Sequence, residues 1–418
     1  MTQFVKDKQY LKFCLYGFLK NLRFFDAFFI LFLIQKGLSF TQIGTLYAVR
    51  EITINVFEIP SGIIADTFGR KTALGSSFLI YIISFIIFYA SANFWLFFTA
   101  FVFYGMADAF RTGTHKGMIM HYLEINNWQN QKINYYGHTR SWSQKGSAIS
   151  ALLAGLLVFF SGNYQNIFLF SIIPYLINFA LILTYPKELD NLKKKNEKIK
   201  KSHFMGVLKA TFNVLKQPRV LKIINTTSVH TAFLKAVKDY IQPLMLHVIV
   251  MLPIFYSLDL KKKNGLFVGL IYFIIYLLTS KASQLASKIA QKSKKDIAYR
   301  TLLIGFGFGM ISGLFFNFNL WILSLIAFIG IYIIENIRKP ILTGFIANEV
   351  PNNILTSVIS VQSQLKTIMT ALLAFVFGIC ADYFGIAQAL FIISLILILL
   401  TILLNNLSFN RNKLNINT

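Results

Sequence analysis

The chain has 418 residues, of which 56% are apolar and 16% aromatic, and its mean hydropathy is +0.59. Soluble domains are about 45–50% apolar, so this composition excludes an ordinary soluble globular protein. The formal net charge is +25, from 41 Lys and Arg against 16 Asp and Glu; such a balance is compatible with nucleic-acid binding until the positions of the charges are considered.

Apolar stretches of about 20 residues recur along nearly the whole chain, and each is long enough to cross about 30 Å of hydrocarbon as a helix. They lie near residues 10–35, 41–64, 73–92, 94–118, 145–161, 166–185, 222–251, 265–284, 298–316, 319–340, 355–379 and 386–405. We therefore predict an all-α integral membrane protein with twelve transmembrane helices. The first stretch carries Lys20, Arg23 and Asp26 in its middle and lacks a small-residue cleavage site, so we expect it to remain as span one.

Basic residues concentrate in the loops that follow even-numbered spans. The clearest example is LKKKNEKIKK at residues 192–201, whereas SANF at 91–94 and SGNYQN at 161–166 carry no charge. This asymmetry places both termini in the cytoplasm of a bacterial cell and accounts for the charge without nucleic acid. One loop disagrees, because Lys261, Lys262 and Lys263 fall on the predicted outer side. Because this loop follows span seven, the sequence does not fix where span seven begins and ends.

The ten residues from Gly62 to Lys71 read GIIADTFGRK and follow span two. Gly62 permits close helix approach, and Gly69 permits a reversal with positive φ. Asp66 suits either a helix N-terminus or a pair with a nearby base, and the final Arg-Lys faces the anionic inner leaflet. This Gly-x-x-x-Asp-x-x-Gly-Arg-Lys pattern resembles the signature loop between helices two and three of the major facilitator superfamily.

The resemblance implies two pseudo-symmetric six-helix bundles, a central cavity lined by helices one, four, seven and ten, and solute transport by alternating access. The longest polar stretch then divides the chain into an N-terminal bundle (1–190), a cytoplasmic linker (191–218) and a C-terminal bundle (219–418). The resemblance also indicates a gating loop in which Asp66 and Arg70 lock one conformation. The expected members of that loop are Glu58, Gly62, Asp66, Gly69, Arg70 and Lys71.

The two halves of the chain echo each other, as transporter repeats do. Span four contains Asp108-x-x-Arg111 and span ten contains Glu335-x-x-Arg338, with an offset of 227. Residues 378–385 read GICADYFG and copy the first part of the signature loop. Basic residues three apart also occur in spans one and seven. These matches favour a duplicated six-helix unit.

Ionisable residues inside the membrane cost roughly 2.5–3.5 kcal/mol each by insertion scales, so they must face a partner or a water-filled cavity. They concentrate on spans one, two, four, seven, ten and eleven, whereas spans three, six, nine and twelve are essentially uncharged. One interpretation is a set of ion pairs that only neutralise each other; the other, which we favour, is a hydrated cavity for substrate and protons. The candidates are Lys20, Arg23, Asp26, Arg50, Glu51, Asp108, Arg111, Lys235, Lys238, Asp239, Glu335, Arg338 and Lys366. Histidine is the side chain whose unperturbed pKa lies near neutral pH, so His230 is a minor candidate, although a single histidine is more often structural.

The sequence predicts a monomeric secondary transporter in the cell membrane that moves a small solute, with protons as the coupling ion. The coupling candidates are Asp26, Glu51, Asp108, Asp239 and Glu335, and mid-depth bases hint at an anionic or zwitterionic solute. The direction of transport is open, because span five lacks the proline of the Gly-Pro motif that marks drug exporters.

Other classes of function lack their motifs. The sequence contains no Walker loop, no HExxH and no paired cysteines, so we expect neither an ATP-driven pump nor an enzyme, and no cofactor. The alternative on the same scaffold is a non-transporting membrane sensor or a lipid scramblase. A sensor should carry an appended soluble domain, and the linker and short tails offer none.

Overall fold

The computed structural model describes residues 5–128, 131–190, 218–251, 259–292, 297–349 and 352–414. Within these ranges helices are the only regular elements and no strand occurs. The chain divides into two compact units: unit 1 contains residues 1–38, 49–199 and 252–276, and unit 2 contains residues 39–48, 200–251 and 277–418. The predicted limits of the two bundles and the linker stay a prediction, and 192–201 lies outside the described residues.

Fourteen α-helices account for most of the described chain. They are α1 (Lys8–Leu19), α2 (Phe29–Gln35), α3 (Phe40–Phe68), α4 (Arg70–Ala90), α5 (Phe94–Arg111), α6 (Thr114–Ile125), α7 (Lys132–Ser161), α8 (Asn166–Leu183), α9 (Pro218–Val237), α10 (Ile241–Met251), α11 (Leu260–Lys292), α12 (Ile297–Asn317), α13 (Trp321–Glu349) and α14 (Asn352–Leu414). Short 3₁₀ helices at Lys187–Asp190 and Lys238–Tyr240 complete the set.

The helices follow the predicted spans. In the described part of the chain, seven stretches are long and apolar enough to cross a bilayer, and the last of them, Val361–Asn405, contains two predicted spans. These two meet at Gly385, whose φ of 81° interrupts α14. The all-α, multi-span architecture expected from hydropathy is thus confirmed.

Spans one, four and seven are each broken within the predicted apolar stretch. Span one is interrupted between α1 and α2, span four at Thr112 and Gly113, and span seven at the 3₁₀ helix Lys238–Tyr240. Non-helical backbone is tolerated at membrane depth only where protein or a water-filled cavity surrounds it. Charged candidates lie at or beside each break, so the breaks mark the places where a site can form.

In unit 1, α4 packs against α5 and α8, and α1 packs against α7. Aromatic rings fill the space between them: Phe25 stacks on Phe168 at 5.4 Å and meets Phe85 at 5.0 Å. Helices α7 and α11 approach closely, because a Cβ atom on Gly155 would lie only 2.7 Å from the Gly265 carbonyl oxygen. Small residues permit such backbone contact, which is how membrane helices commonly associate.

In unit 2, α12 packs against α13 and α14, and α9 packs against α14. The start of α3 belongs to this unit and is capped by the signature-loop echo. The Asp382 carboxylate accepts hydrogen bonds from the backbone N–H groups of Phe40 (2.8 Å) and Thr41 (2.7 Å). Such a cap satisfies amide groups that lack a partner within the helix. Gly385 in the echo and Gly69 in the signature loop both have positive φ, 81° and 98°.

Candidate functional site

Asp108, near the end of α5, is approached by two other charged candidates of unit 1, Arg23 and Arg111. Its Oδ1 accepts a hydrogen bond from Arg111 Nη2 at 2.7 Å and another from the Tyr81 hydroxyl, and Arg23 Nη2 lies 4.0 Å away. Arg111 Nε donates to the Tyr81 oxygen at 3.1 Å. We name Arg23, Tyr81, Asp108 and Arg111 the arginine–aspartate cluster. A single carboxylate thus serves as the counter-ion of two guanidinium groups.

Lys20 ends α1 beside this cluster. Its ammonium lies 5.8 Å from the centre of the Tyr16 ring, a cation–π distance. Tyr16 in turn stacks on His115 with 3.6 Å between ring centres, and His115 is within 3.2 Å of the Tyr185 hydroxyl. Among the described residues, no carboxylate comes within 4 Å of the Lys20 ammonium.

A small polar cavity opens where span one is unwound. Its volume is about 10 Å³, roughly the space that one water occupies. The polar residues that line it are Asn21, Arg23, Asp26, Ser147, Ser150 and Tyr276. Two predicted candidates of span one therefore face the same space, together with hydroxyl groups of α7.

Glu335 on α13 contacts two residues of α9, His230 and Thr231. Glu335 Oε2 lies 2.8 Å from His230 Nδ1, and Oε1 accepts a hydrogen bond from the Thr231 hydroxyl at 2.6 Å. The His230 side chain is 1% exposed and that of Glu335 is 10% exposed. We name His230 and Glu335 the histidine–glutamate pair, and Thr231 is its hydroxyl neighbour. His230 was only a minor candidate from sequence, and its contact with Glu335 raises it to a central one.

Arg338 does not pair with Glu335, although the two share a face of α13. Its guanidinium donates to the Ala298 carbonyl (2.6 Å), the Thr301 hydroxyl (2.7 Å) and the Thr226 carbonyl (2.6 Å). The structure therefore brings together Asp108 and Arg111 as the spacing suggested, whereas the repeat-related Glu335 and Arg338 take different partners. Neutral carbonyl groups, rather than a carboxylate, hold the buried Arg338.

Four of the remaining candidates form two ion pairs between residues adjacent in the chain. Arg50 Nη2 lies 3.0 Å from Glu51 Oε1, and the Glu51 side chain is almost fully buried. Lys238 Nζ lies 3.3 Å from Asp239 Oδ1, while the Tyr47 hydroxyl donates to Asp239 Oδ2 at 3.0 Å. Two further candidates are Lys235, in the last turn of α9, and Lys366, on α14.

The signature loop runs from the end of α3 to the start of α4, and Asp190 caps α4. Its Oδ1 accepts a hydrogen bond from the Lys71 backbone N–H at 2.6 Å, and Lys71 Nζ donates to the Tyr185 carbonyl at 2.9 Å. Gly69 is buried against Asp190 with a φ of 98°, as the sequence analysis expected of that glycine. Asp66 lies half-buried on the last turns of α3.

The other members of the expected gating loop lie around this turn. Arg70 packs against Gly117, where a Cβ atom would lie 3.3 Å from the Arg70 guanidinium carbon. Gly62 is exposed on α3, and the Glu58 carbonyl accepts a hydrogen bond from the Ser61 hydroxyl at 2.9 Å. Their role in gating stays a prediction.

Sequence reasoning missed three residues that the structure places at these sites. Tyr81 lies on α4, which corresponds to the essentially uncharged span three, yet its hydroxyl contacts Asp108. Asp190 and Ser150 lie in no sequence pattern that indicates a site. Their roles arise from contacts between residues distant in the chain, which no local pattern encodes. Among the described residues, no group of three His, Cys, Asp or Glu side chains is placed to hold a metal ion.

Comparisons with known proteins agree with this architecture. Residues 16–372 match the family model of the Major Facilitator Superfamily. A relative in Bacillus subtilis (strain 168), the uncharacterized MFS-type transporter YxaM, is 23% identical over 357 residues, covering 85% of this chain and 84% of that protein.

Solved structures show the same fold at low sequence identity. The nucleoside transporter NupG is 15% identical with a TM-score of 0.71, covering 94% of this chain and 96% of its own. A D-xylose-proton symporter is 13% identical with a TM-score of 0.67, covering 94% of this chain and 95% of its own. Since the family match spans most of the sequence and the helices form the fold of these transporters, the chain belongs to the major facilitator superfamily of transporters.

Proposed function

We propose that this protein is a secondary active transporter that couples protons to the movement of a small solute by alternating access across the bacterial cell membrane, with both termini in the cytoplasm. The histidine–glutamate pair carries the proposal. It is buried in unit 2, and His230 Nδ1 and Glu335 Oε2 are 2.8 Å apart. An imidazole and a carboxylate in contact can hold one proton between them, which makes the pair a candidate carrier of the coupling proton.

The contacts of Glu335 differ from those of three other coupling candidates, which favours Glu335 in this proposal. Asp108 already serves as counter-ion of Arg111 and Arg23, and Glu51 and Asp239 each adjoin a basic residue. Glu335 instead adjoins a neutral hydroxyl and a histidine, so the charge of this site changes with one proton. A buried charge that appears and disappears alters the balance between two conformations, because burial disfavours the charged form.

The proposal is tested with purified protein in liposomes that contain a trapped pH indicator. A pH gradient is imposed, and nucleosides, D-xylose, short peptides and small carboxylates are offered in turn, since solved neighbours include a nucleoside transporter and a D-xylose-proton symporter. We expect one solute class to move protons with it and to accumulate against its gradient.

The variant Glu335→Gln keeps the shape of the side chain but removes its charge. We expect it to lose gradient-driven accumulation at least tenfold while still exchanging solute across the membrane. The matched control is Glu188→Gln, at an exposed carboxylate, which should behave as wild type. Full accumulation in Glu335→Gln would eliminate this coupling site, and movement of labelled lipid without any solute would favour a scramblase.

A further inference from the structure

We infer that the solute carries an oxyanion group, a carboxylate or a phosphate, which binds to Arg23 and Lys20 at the unwound part of span one. This inference rests on the proposed transport function and deepens it by naming the substrate class. Its observations come from unit 1 and are independent of the histidine–glutamate pair in unit 2.

The first observation is a pair of unused hydrogen-bond donors. Arg23 Nε and Ser150 Oγ are buried and have no hydrogen-bond partner among the described residues. Both residues line the same small cavity. Buried polar groups almost always have a partner, so two unused donors on residues that line one cavity indicate a ligand or water there. An oxygen atom of a carboxylate or phosphate has the required size and accepts more than one hydrogen bond.

The second observation is an excess of positive charge. Lys20, Arg23, Arg111 and Arg140 interact electrostatically around the cluster, whereas Asp26 and Asp108 are the acidic groups there, so basic side chains outnumber acidic ones. Asp108 bonds to Arg111 at 2.7 Å but lies 4.0 Å from Arg23. Uncompensated charge inside a membrane protein is costly. A bound anion beside Arg23 and Lys20 would supply additional negative charge there.

Guanidinium and ammonium groups bind an anion in different ways. Arg23 offers a planar set of N–H groups that matches two oxygens of a carboxylate or phosphate, and Lys20 acts as a point charge. Asp26 lines the same cavity and would repel an anion placed next to it. It is therefore the expected contact for any ammonium or hydroxyl group that the solute carries beside its oxyanion.

The test is thermal unfolding of the full-length protein in lipid nanodiscs. The probes are sodium sulfate, sodium phosphate, benzoate and glycine, each compared with sodium chloride at equal ionic strength, and benzamide serves as the neutral analogue of benzoate. We expect at least one oxyanion probe to raise the melting temperature above the chloride value, with no effect of benzamide. Stabilisation by glycine but not benzoate would assign Asp26 to an accompanying ammonium group.

The variants identify the residues involved. Arg23→Gln and Lys20→Met should weaken the effective probe at least tenfold, whereas Lys145→Met should not; Lys145 is exposed on α7 and lies over the Trp142 ring. If Arg23→Gln fails to fold, Ser150→Ala and Lys20→Met supply the same comparison. The inference is overturned if no oxyanion stabilises the wild-type protein beyond chloride, or if these variants respond as wild type does.

Nanodiscs carry no proton gradient, so the outcome is independent of proton coupling. Anion binding together with full accumulation by Glu335→Gln would remove the coupling proposal and leave the anion site standing. Absence of anion binding together with loss of accumulation in Glu335→Gln would remove the anion site and leave the coupling proposal standing.

Discussion

A single methyl group at Gly305 should disturb the histidine–glutamate pair. Gly305 lies on α12, packed against the edge of the His230 ring. A Cβ atom built on Gly305 would overlap Nε2 and Cδ2 of His230 and would lie 3.1 Å from Cγ2 of Ile334. Gly305→Ala therefore forces the imidazole to move, or forces α12 away from its neighbours.

Both ways of relieving that overlap cost free energy. Overpacking of a well-packed core costs about 1–3 kcal/mol. If His230 rotates instead, it loses its 2.8 Å contact with Glu335, and a buried group deprived of its partner costs about 1–3 kcal/mol. Alanine gains about 1 kcal/mol over glycine through helix propensity, so the net loss in Gly305→Ala is about 0–2 kcal/mol.

Gly307→Ala provides the control, because it changes the same residue type on the same helix where nothing lies within 4 Å of the new Cβ. Both variants share the propensity gain, so the free energies of unfolding should differ by about 1–3 kcal/mol. The measurement is reversible unfolding in mixed detergent, repeated in a His230→Ala background, where the difference should shrink. Equal unfolding of the two glycine variants would show that Gly305 does not hold His230 in place.

Three further predictions concern other parts of the chain. Asp382→Ala should lower the free energy of unfolding by about 1 kcal/mol, because it removes the cap on two amide groups of α3; an unchanged melting temperature would mean that solvent replaces the cap. Asp108→Ala should cost about 3–5 kcal/mol, because it leaves Arg111 and Arg23 without their shared counter-ion, and adding Arg111→Ala should recover part of that loss; a double variant worse than the single one would contradict a structural ion pair. A cysteine at Asn196 in a cysteine-free background should resist membrane-impermeant thiol reagents in intact cells, and ready labelling would reverse the predicted orientation.

Much of the fold follows from hydropathy, because a helix that crosses a bilayer must be apolar along about 20 residues. The positions of α4, α8 and α12 agree with predicted spans to within a few residues. The helix breaks were not predicted. Lys20, Arg23 and Asp26 lie in a sequence apolar enough to read as one continuous span, and only the tertiary structure shows that the backbone unwinds there.

The partners of the charged residues were predictable only where they are local. Asp108 and Arg111 are three residues apart on α5 and do form a contact, as neighbours on a helix face can. Glu335 has the same spacing to Arg338, yet its partner is His230, 105 residues away. Spacing shows which side chains share a face of one helix, whereas packing between helices decides which of them meet.

Each break in spans one and seven exposes a carbonyl that a regular helix would satisfy, and in both cases a tyrosine from another helix donates to it. Tyr175 on α8 donates its hydroxyl to the Lys20 carbonyl at 3.3 Å, and Tyr332 on α13 donates to the Lys238 carbonyl at 2.8 Å. Lys20 and Lys238 both belong to the basic pairs that the internal repeat relates. Tyrosine supplies a donor at the end of an apolar ring, so it can satisfy the carbonyl without adding charge. The basic side chains at the breaks can therefore interact with other groups, and no carboxylate among the described residues lies within 4 Å of the Lys20 ammonium.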